Sequence, residues 1–217
     1  MHNDSLTRRD FLGRAAGLSL AGVLGAAGAF AQDAEKKKKR DDWKQLFNGK
    51  DLDGWKPEGK ADWKVENGML IGRQGPGNAP GDLFTVEEYG DFVLVVEYKV
   101  QWPANSGVWF RYVDANTAYQ ADILEYKDPV AYSGTLYCPG RMFLGANLDP
   151  SLEKRDDWNT MKIRCEGEHM VITLNGKVTV DVKDNAIPKG RIGFQIHPGD
   201  EFKDMQFSAR KIQLRAL

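Results

Sequence analysis

The chain has 217 residues, with 30 basic and 31 acidic side chains and a formal net charge of −1 at neutral pH. This balance lacks the basic surplus that binds nucleic acid or an anionic membrane surface, so we expect neither partner. Hydrophobic residues make up 41% of the chain, a fraction typical of a globular protein with its own core.

The N-terminus carries an export signal. Residues 7–12 read TRRDFL, a twin-arginine pattern, and an apolar run rich in Gly and Ala follows up to an A-x-A cleavage site at 29–31. We therefore expect residues 1–31 to be a twin-arginine signal peptide, with the mature protein periplasmic or secreted and not stably inserted in a membrane. The next residues, 32–42, contain EKKKKR, a charge block typical of a solvated linker.

Residues 43–217 are enough for one hydrophobic core but short for two full domains. Alternating apolar and polar residues dominate this part, and the most apolar run, 92–100, is predicted to lie in the middle of a sheet. Asn175-Gly176 separates two alternating runs and predicts a hairpin. Short strands and glycine-rich turns predict an all-β fold, a single antiparallel β-sandwich. The other predicted strands are 105–112, 120–124, 161–165, 170–174, 177–182, 190–197 and 205–214.

Polar side chains on two neighbouring predicted strands indicate a groove. Strict alternation places Trp109 and Arg111 on one face of 105–112, and Gln120 with Asp122 on one face of the next strand. An aromatic ring, a guanidinium, an amide and a carboxylate in this arrangement suit a groove that holds a sugar. A solvated outer face with an Arg–Asp pair would also account for them, and both interpretations stay open.

Only two cysteines are present. Cys165 alternates with Met161 and Ile163, which predicts a buried free thiol, whereas Cys138 lies in a Pro-Gly segment. Neither has further Cys or His residues at ligand spacing nearby, so no zinc site is predicted. The segment 132–141 is expected to be a loop.

The order of motifs across 43–217 resembles the family of 3-keto-disaccharide hydrolases, formerly a domain of unknown function. The resemblance implies a concanavalin A-like jelly roll whose concave face binds carbohydrate, and hydrolysis of glycosides that are oxidised at C3. The motifs that carry it are LFNGKDLDGW (46–55), WKVENGML (63–70), NSGVWFR (105–111), YQADI (119–123), DWN (157–159) and GFQIH (193–197).

Jelly-roll glucanases place their acids on one strand as E-x-D-x-x-E, and the corresponding residues here are Gln120, Asp122 and Glu125. An amide cannot form a glycosyl ester, and a retaining mechanism needs two carboxyl groups about 5–5.5 Å apart. Ordinary glucanase activity is therefore not predicted.

Cleavage of a 3-keto glycoside does not need a nucleophilic carboxylate, because the ketone acidifies the C2 proton and the C1 leaving group is β to the resulting carbanion. Asp122 or Glu125 is predicted to be the general base, Arg111 the clamp on the ketone or enolate, and His197 the acid or a second proton carrier. Alternation places Glu125 on the face opposite Asp122, which favours Asp122 as the base.

The remaining predicted site residues would bind the sugar. Gln120 and Asn105 would orient hydroxyl groups, Trp109 would stack on a pyranose ring, and Tyr137 with Arg141 would form a groove wall.

The sequence has no metal-binding motif such as HExxH, CxxC or an EF-hand loop. A calcium ion held by loop oxygens, or a divalent ion shared by Asp122, Glu125 and His197, stays open. Two other functions also stay open: a non-catalytic, lectin-like carbohydrate-binding module and a structural envelope protein.

Overall fold

The computed structural model describes residues 42–155 and 157–217, so the predicted signal peptide and all but the last residue of the charged linker lie outside the described residues. No helix within these two ranges is long and apolar enough to cross a bilayer. The strands are β1 (Lys44–Gln45), β2 (Trp55–Gly59), β3 (Asp62–Glu66), β4 (Met69–Arg73), β5 (Gly81–Tyr89), β6 (Phe92–Val100), β7 (Asn105–Asp114), β8 (Thr117–Lys127), β9 (Val130–Cys138), β10 (Met142–Asn147), β11 (Asn159–Glu166), β12 (His169–Leu174), β13 (Lys177–Lys183), β14 (Gly190–Ile196) and β15 (Gln206–Ala216), with short 3₁₀ helices at Pro150–Leu152 and Asp200–Phe202.

These strands form two sheets in which neighbouring strands run antiparallel. One sheet has the order β13-β12-β11-β6-β15-β4-β3, with β1 also paired to β15, and the other has the order β10-β9-β8-β7-β14-β5-β2. The predicted all-β antiparallel sandwich is confirmed. The predicted position of β6 inside a sheet is also confirmed, because β6 pairs with β11 on one side and β15 on the other.

The predicted hairpin lies between β12 and β13. Leu174 pairs with Lys177, and the two residues between them have positive φ, 49° at Asn175 and 85° at Gly176. Positive φ at both central residues of a two-residue turn matches the right-handed twist of the strands that it joins, which explains the preference for Asn-Gly.

The core lies between the sheets and is built from the inward half of each alternating strand. On β6, Leu94, Val96 and Tyr98 face inward and are fully buried, and the rings of Phe194 and Phe207 meet across the interior with centroids 4.9 Å apart. Burying each such side chain contributes about 1.5–3 kcal/mol. The core thereby fixes which residues of the seven-stranded sheet face outward.

A β-bulge interrupts β7 at Arg111, whose φ is 47°. The pairing register shifts at this point against both neighbouring strands. An extra residue in one strand exchanges the faces of the residues beyond it. Tyr112 therefore joins Trp109 on the outer face, and the prediction that Trp109 and Arg111 share a face is wrong. The backbone of Gly190 packs against the bulge, where a Cβ would lie 2.4 Å from the Arg111 carbonyl carbon.

The segment 132–141 is not a loop, because β9 continues to Cys138. Two features explain why the strand was not predicted. Gly134 has a φ of 89°, and the buried residues Ser133 and Thr135 are polar, so the alternation of apolar and polar residues is lost. Cys138 and Cys165 are both buried with free thiols. Burial raises the pKa of the Cys165 thiol to about 12, so this thiol is unreactive at neutral pH.

Candidate functional site

A groove of about 450 Å³ lies on the outer face of the seven-stranded sheet. This volume is in the range of small-molecule sites. Strands β5, β7, β8, β9 and β14 supply its floor and walls, since their outward residues all project from this face. The polar and aromatic lining residues are Asp82, Asn105, Trp109, Tyr112, Gln120, Asp122, Tyr126, Tyr137, Phe143, Gln195 and His197.

The strand register aligns two carboxyl groups in one row across the groove. Asp82 pairs with Gln195, Gln195 with Gly107, and Gly107 with Asp122. Three strand spacings place the two aspartate Cα atoms roughly 14 Å apart. Gly107 leaves space that the Gln120 side chain fills, because a Cβ there would lie 2.6 Å from Gln120 Cδ. The Gln120 amide donates to Gln195 Oε1 at 3.1 Å, so amides form the floor between the carboxyl groups.

Asp122 lies on β8 between Gln120 and Leu124, which all face the groove because the strand alternates regularly here. Its side chain is 2% exposed, and Oδ2 has no hydrogen-bond partner within residues 42–155 and 157–217. Burial raises the pKa of the Asp122 carboxyl well above its usual range. Burial without a partner for Oδ2 favours the protonated form of this carboxyl, which makes Asp122 a candidate proton donor.

Asp82 lines the opposite flank of the groove and was not among the predicted site residues. Its Oδ1 accepts a hydrogen bond from Trp109 Nε1 at 2.9 Å. Burial raises the pKa of Asp82 to about 6, against the lowering effect of the Trp109 hydrogen bond, and the charge of Glu58 adds to the rise. The sequence signal is the alternation of Asp82 with Leu83 and Phe84 at the start of β5, which puts this carboxyl on the face opposite the core residue Leu83.

An aromatic wall stands beside the amide floor. The ring centroids of Phe84 and Tyr112 are 4.0 Å apart, and Trp109 lies edge-on to Tyr112 at 5.7 Å and to Tyr137 at 6.4 Å. Trp109 and Tyr112 are only 6% and 8% exposed. Burial raises the pKa of the Tyr137 hydroxyl. The groove thus offers apolar edges and polar groups side by side.

His197 and Asn105 form the end of the groove beyond Asp122 and Leu124. The His197 amide donates to the Asn105 carbonyl at 3.4 Å, and His197 Nδ1 lies 2.6 Å from the Pro198 carbonyl. This contact assigns the proton to Nδ1 and leaves Nε2 as the acceptor nitrogen. The Gln74 amide donates to the carbonyls of His197 and Gly199, which holds the loop in place.

Arg111 is not part of the groove, because the bulge turns its side chain to the opposite side. The guanidinium is 1% exposed and donates to the carbonyls of Gly90, Ile187 and Gly167 at 3.0–3.1 Å and to Asp91 Oδ1 at 3.0 Å. With these acceptors satisfied, it has no access to a ligand in the groove. The predicted role of Arg111 as an enolate clamp is therefore wrong.

Glu125 and Arg141 also lie outside the groove lining. Glu125 follows the inward parity of β8 and is exposed at the end of the sandwich, where it forms an ion pair with Arg155. Arg141 follows β9 and pairs with Asp184 at 2.6 Å. The alternative role of Glu125 as general base and the role of Arg141 in the groove wall do not fit these positions.

Within the described residues, no group of three or more His, Cys, Asp or Glu side chains is placed to hold a metal ion. The predicted ion shared by Asp122, Glu125 and His197 has no such cluster, since Glu125 faces away from the other two.

The fold is shared with solved structures. A Parabacteroides distasonis protein described as a candidate glycosyl hydrolase matches with a TM-score of 0.63 at 21% identity, covering 81% of this chain and 99% of that one. A Bacillus subtilis protein of unknown function with a galectin-like fold matches with a TM-score of 0.63 at 15% identity, covering 80% and 98%. At these identities the likeness shows the jelly-roll fold alone.

A curated relative, the 3-keto-disaccharide hydrolase of Bacteroides thetaiotaomicron, is 29% identical over 101 residues, which are 42% of this chain and 34% of the relative. The match thus spans about a third of the length of that relative. The family model of the 3-keto-alpha-glucoside-1,2-lyase-like domain matches residues 42–215, almost the whole described part. The chain therefore belongs to the family of 3-keto-alpha-glucoside-1,2-lyase-like domains, as the resemblance of its motifs predicted.

Proposed function

We propose that the protein cleaves the glycosidic bond of disaccharides or glycosides that carry a ketone at C3. The observation that carries this proposal is the Asp122 carboxyl, whose burial at the floor of a groove with amide and aromatic groups favours its protonated form. The family membership and the name of the Bacteroides relative support the substrate class. The predicted export signal supports a place for this reaction outside the cytoplasm.

The chemistry is a β-elimination followed by addition of water. Removal of the C2 proton leaves an electron pair that the C3 ketone takes up as an enolate. Collapse of the enolate restores the ketone, forms a double bond between C1 and C2, and breaks the bond from C1 to the glycosidic oxygen. A proton given to that oxygen releases the leaving sugar as an alcohol. Addition of water across the double bond completes the net hydrolysis.

Asp122 is the proton donor to the leaving oxygen. A neutral carboxyl in an apolar setting can give a proton at the moment when charge develops on that oxygen. The amides of Gln120 and Asn105 would orient sugar hydroxyls, and Tyr137 and Trp109 would pack against the ring. His197 Nε2 would act as a proton carrier at the end of the groove.

The groove does not suit an ordinary retaining glycosidase. Asp82 and Asp122 are separated by two intervening strands, and Gln120 stands where a nucleophilic carboxylate would be needed. A retaining pair needs carboxyl groups about 5–5.5 Å apart. The β-elimination needs no glycosyl ester, which is why the ketone is part of the proposal.

A second candidate function is sugar binding without chemistry. The likeness to a protein with a galectin-like fold and the position of the groove on the open face of a sheet favour it. Both functions would use the same aromatic wall and amide floor, so only a measurement of bond cleavage separates them.

The test is to incubate the purified protein with 3-keto-trehalose and 3-keto-sucrose beside the unoxidised sugars, and to measure the monosaccharides released. We expect release from the keto sugars only, and a loss of about 100-fold or more in the Asp122→Asn variant. Asp181→Asn, which removes an exposed carboxyl from β13 in the other sheet, is the matched control.

A sample treated with EDTA shows whether a divalent ion contributes. No release from any sugar, together with sugar binding retained in calorimetry, would replace the hydrolase proposal by the binding-module function.

A further inference from the structure

The proposed β-elimination needs a base for the C2 proton, and the predicted bases do not supply one. Burial favours the protonated form of Asp122, and Glu125 lies outside the groove in an ion pair with Arg155. His197 lies at the far end, with Nδ1 engaged by a backbone carbonyl. The other carboxyl group in the groove lining is Asp82.

We propose that Asp82 is the general base of this groove and that Trp109 is a positioning residue that holds its carboxylate. This inference rests on the proposed function. Asp82 lies in the same register row as Asp122, on the opposite flank of the side-chain-free position Gly107. A sugar ring above Gly107 and the Gln120 amide would be flanked by a carboxyl group on each side.

The hydrogen bond from Trp109 Nε1 orients the Asp82 carboxylate. It engages Oδ1 at 2.9 Å, whereas Oδ2 accepts no hydrogen bond from the described residues. Asp82 is partly exposed to the groove that it lines, so Oδ2 is available to a ligand. A fixed carboxylate with one free oxygen meets the geometric requirement for a general base.

The hydrogen bond from Trp109 favours the ionised form of Asp82. Burial and the charge of Glu58 on β2 raise the pKa of Asp82, and Trp109 limits the rise to a value of about 6. Glu58 is itself paired with Arg191 on β14 at 2.8 Å, and the Tyr112 hydroxyl on β7 also lies close by. With a pKa of about 6, Asp82 is mostly ionised at neutral pH, whereas burial favours the protonated form of Asp122, and a base and an acid in one site require such a difference.

The two aspartates then complete the reaction without another reagent. In the elimination, Asp82 takes the C2 proton and Asp122 gives its proton to the leaving oxygen. In the hydration, Asp122 takes a proton from the water that attacks C1, and Asp82 returns a proton to C2. Both groups end in their starting states, and the sum is substrate plus water giving a 3-keto sugar plus an alcohol.

The experiment isolates proton abstraction from bond cleavage. The 3-keto derivative of 1,5-anhydroglucitol has no glycosidic leaving group at C1, so the protein in deuterium oxide can exchange the protons next to the ketone without cleaving a glycosidic bond. Proton NMR follows exchange at C2, with exchange at C4 as the internal reference and a sample without enzyme as background. We expect wild-type protein to accelerate exchange at C2 selectively, and Asp82→Asn to lower that acceleration about 100-fold or more. Asp181→Asn is the matched control for loss of a carboxyl outside the groove.

Trp109→Phe supplies an independent readout, because it removes the hydrogen bond and keeps an aromatic ring. Without that bond the pKa of Asp82 rises, so the acidic limb of the exchange rate should move from near pH 6 to a higher pH. If Trp109 only supported the fold, Trp109→Phe would lower the exchange rate without shifting the pH of its acidic limb.

Each outcome bears on a different claim. Selective exchange at C2 that persists in Asp82→Asn, or an acidic limb that stays in place in Trp109→Phe, overturns the assignment of Asp82. Cleavage of 3-keto disaccharides by the wild type would still stand in that case. If the wild type neither exchanges the C2 proton nor cleaves keto sugars, the proposed function fails together with this inference.

Discussion

At Arg111 a single buried guanidinium joins three separate parts of the chain. It donates to the β5–β6 turn at Gly90 and Asp91, to the β11–β12 turn at Gly167, and to the segment before β14 at Ile187. Five donors in a rigid fork let one arginine satisfy these acceptors together, which the three donors of a lysine ammonium cannot reproduce.

Arg111→Lys leaves carbonyl acceptors without a donor, and it is therefore expected to lower the free energy of unfolding by about 1–3 kcal/mol, the usual cost of an unsatisfied buried polar group. Urea denaturation followed by tryptophan fluorescence measures the change. Arg164→Lys, at an exposed arginine paired with Glu166, is the control and should stay within about 0.5 kcal/mol of wild type. Equal stability of the two variants would show that the Arg111 hydrogen bonds contribute little.

The alternation of residues predicted the groove side chains of β8 correctly but not those of β7 around the bulge. Gln120 and Asp122 lie on a regular stretch of β8, where alternation assigns each side chain to a face without ambiguity. Arg111 and Tyr112 lie at and beyond a bulge, which alternation cannot reveal. The protonation of Asp122 depends on burial by residues distant in sequence, and so its role as an acid could not be predicted from β8 alone.

At the level of strands, Gly107 and Gly190 both lack a Cβ where a neighbour packs closely, but the neighbours differ. Gly107 on β7 makes room for the flexible side chain of Gln120, whereas Gly190 on β14 makes room for the backbone at Arg111. A methyl group at 107 would meet atoms that can rotate away. At 190 it would meet main-chain atoms, which are fixed by the bulge.

Gly107→Ala is expected to fold with a stability within about 1 kcal/mol of wild type but to displace Gln120 and break its bond to Gln195. Loss of that ordered amide should raise KM for a 3-keto disaccharide by about fivefold, the equivalent of one hydrogen bond. Gly190→Ala should instead lose about 1–3 kcal/mol of stability through overpacking. Kinetics and urea denaturation on both variants check the contrast, which would be contradicted by a destabilised Gly107→Ala with unchanged KM.

Most strands could be predicted because period-two alternation survives wherever one face meets the core, as in 92–100 and 170–174. The hairpin at Asn175-Gly176 was equally readable, since its turn chemistry is local. β9 was missed because glycine and buried hydroxyl residues replace the apolar members of the pattern. The order and register of strand pairing place Asp82 and Asp122 in one row across the groove. Both depend on contacts between distant segments, which no local pattern encodes.

For the whole molecule, buried carboxyl groups make stability depend on pH. Burial raises the pKa of Asp122, of Asp82 to about 6, and of Glu153, whose carboxyl lies against Tyr98. Folding of such a group requires a proton that the unfolded chain has already released. Its contribution is therefore fully present below the ordinary carboxyl pKa and is lost as the pH rises through the folded-state value. The paired carboxyls Glu58 and Asp184, whose pKa values are lowered, act in the opposite sense and lose their contribution only in more acidic solution.

The free energy of unfolding is thus expected to be higher at pH 5 than at pH 7.5. The shift of Asp82 from 3.8 to about 6 corresponds to about 3 kcal/mol in total, of which about half is lost between pH 5 and pH 7.5. Urea denaturation at the two pH values measures the difference, with Asp181→Asn as the control.

Asp122→Asn should be more stable than wild type at pH 7.5, because an asparagine side chain can be buried without taking up a proton. The same substitution should lower cleavage about 100-fold or more, as expected where a catalytic group is held in a setting that disfavours its charge. Equal stability of wild type and Asp122→Asn at pH 7.5 would contradict a protonated Asp122, and with it the acid that the elimination requires.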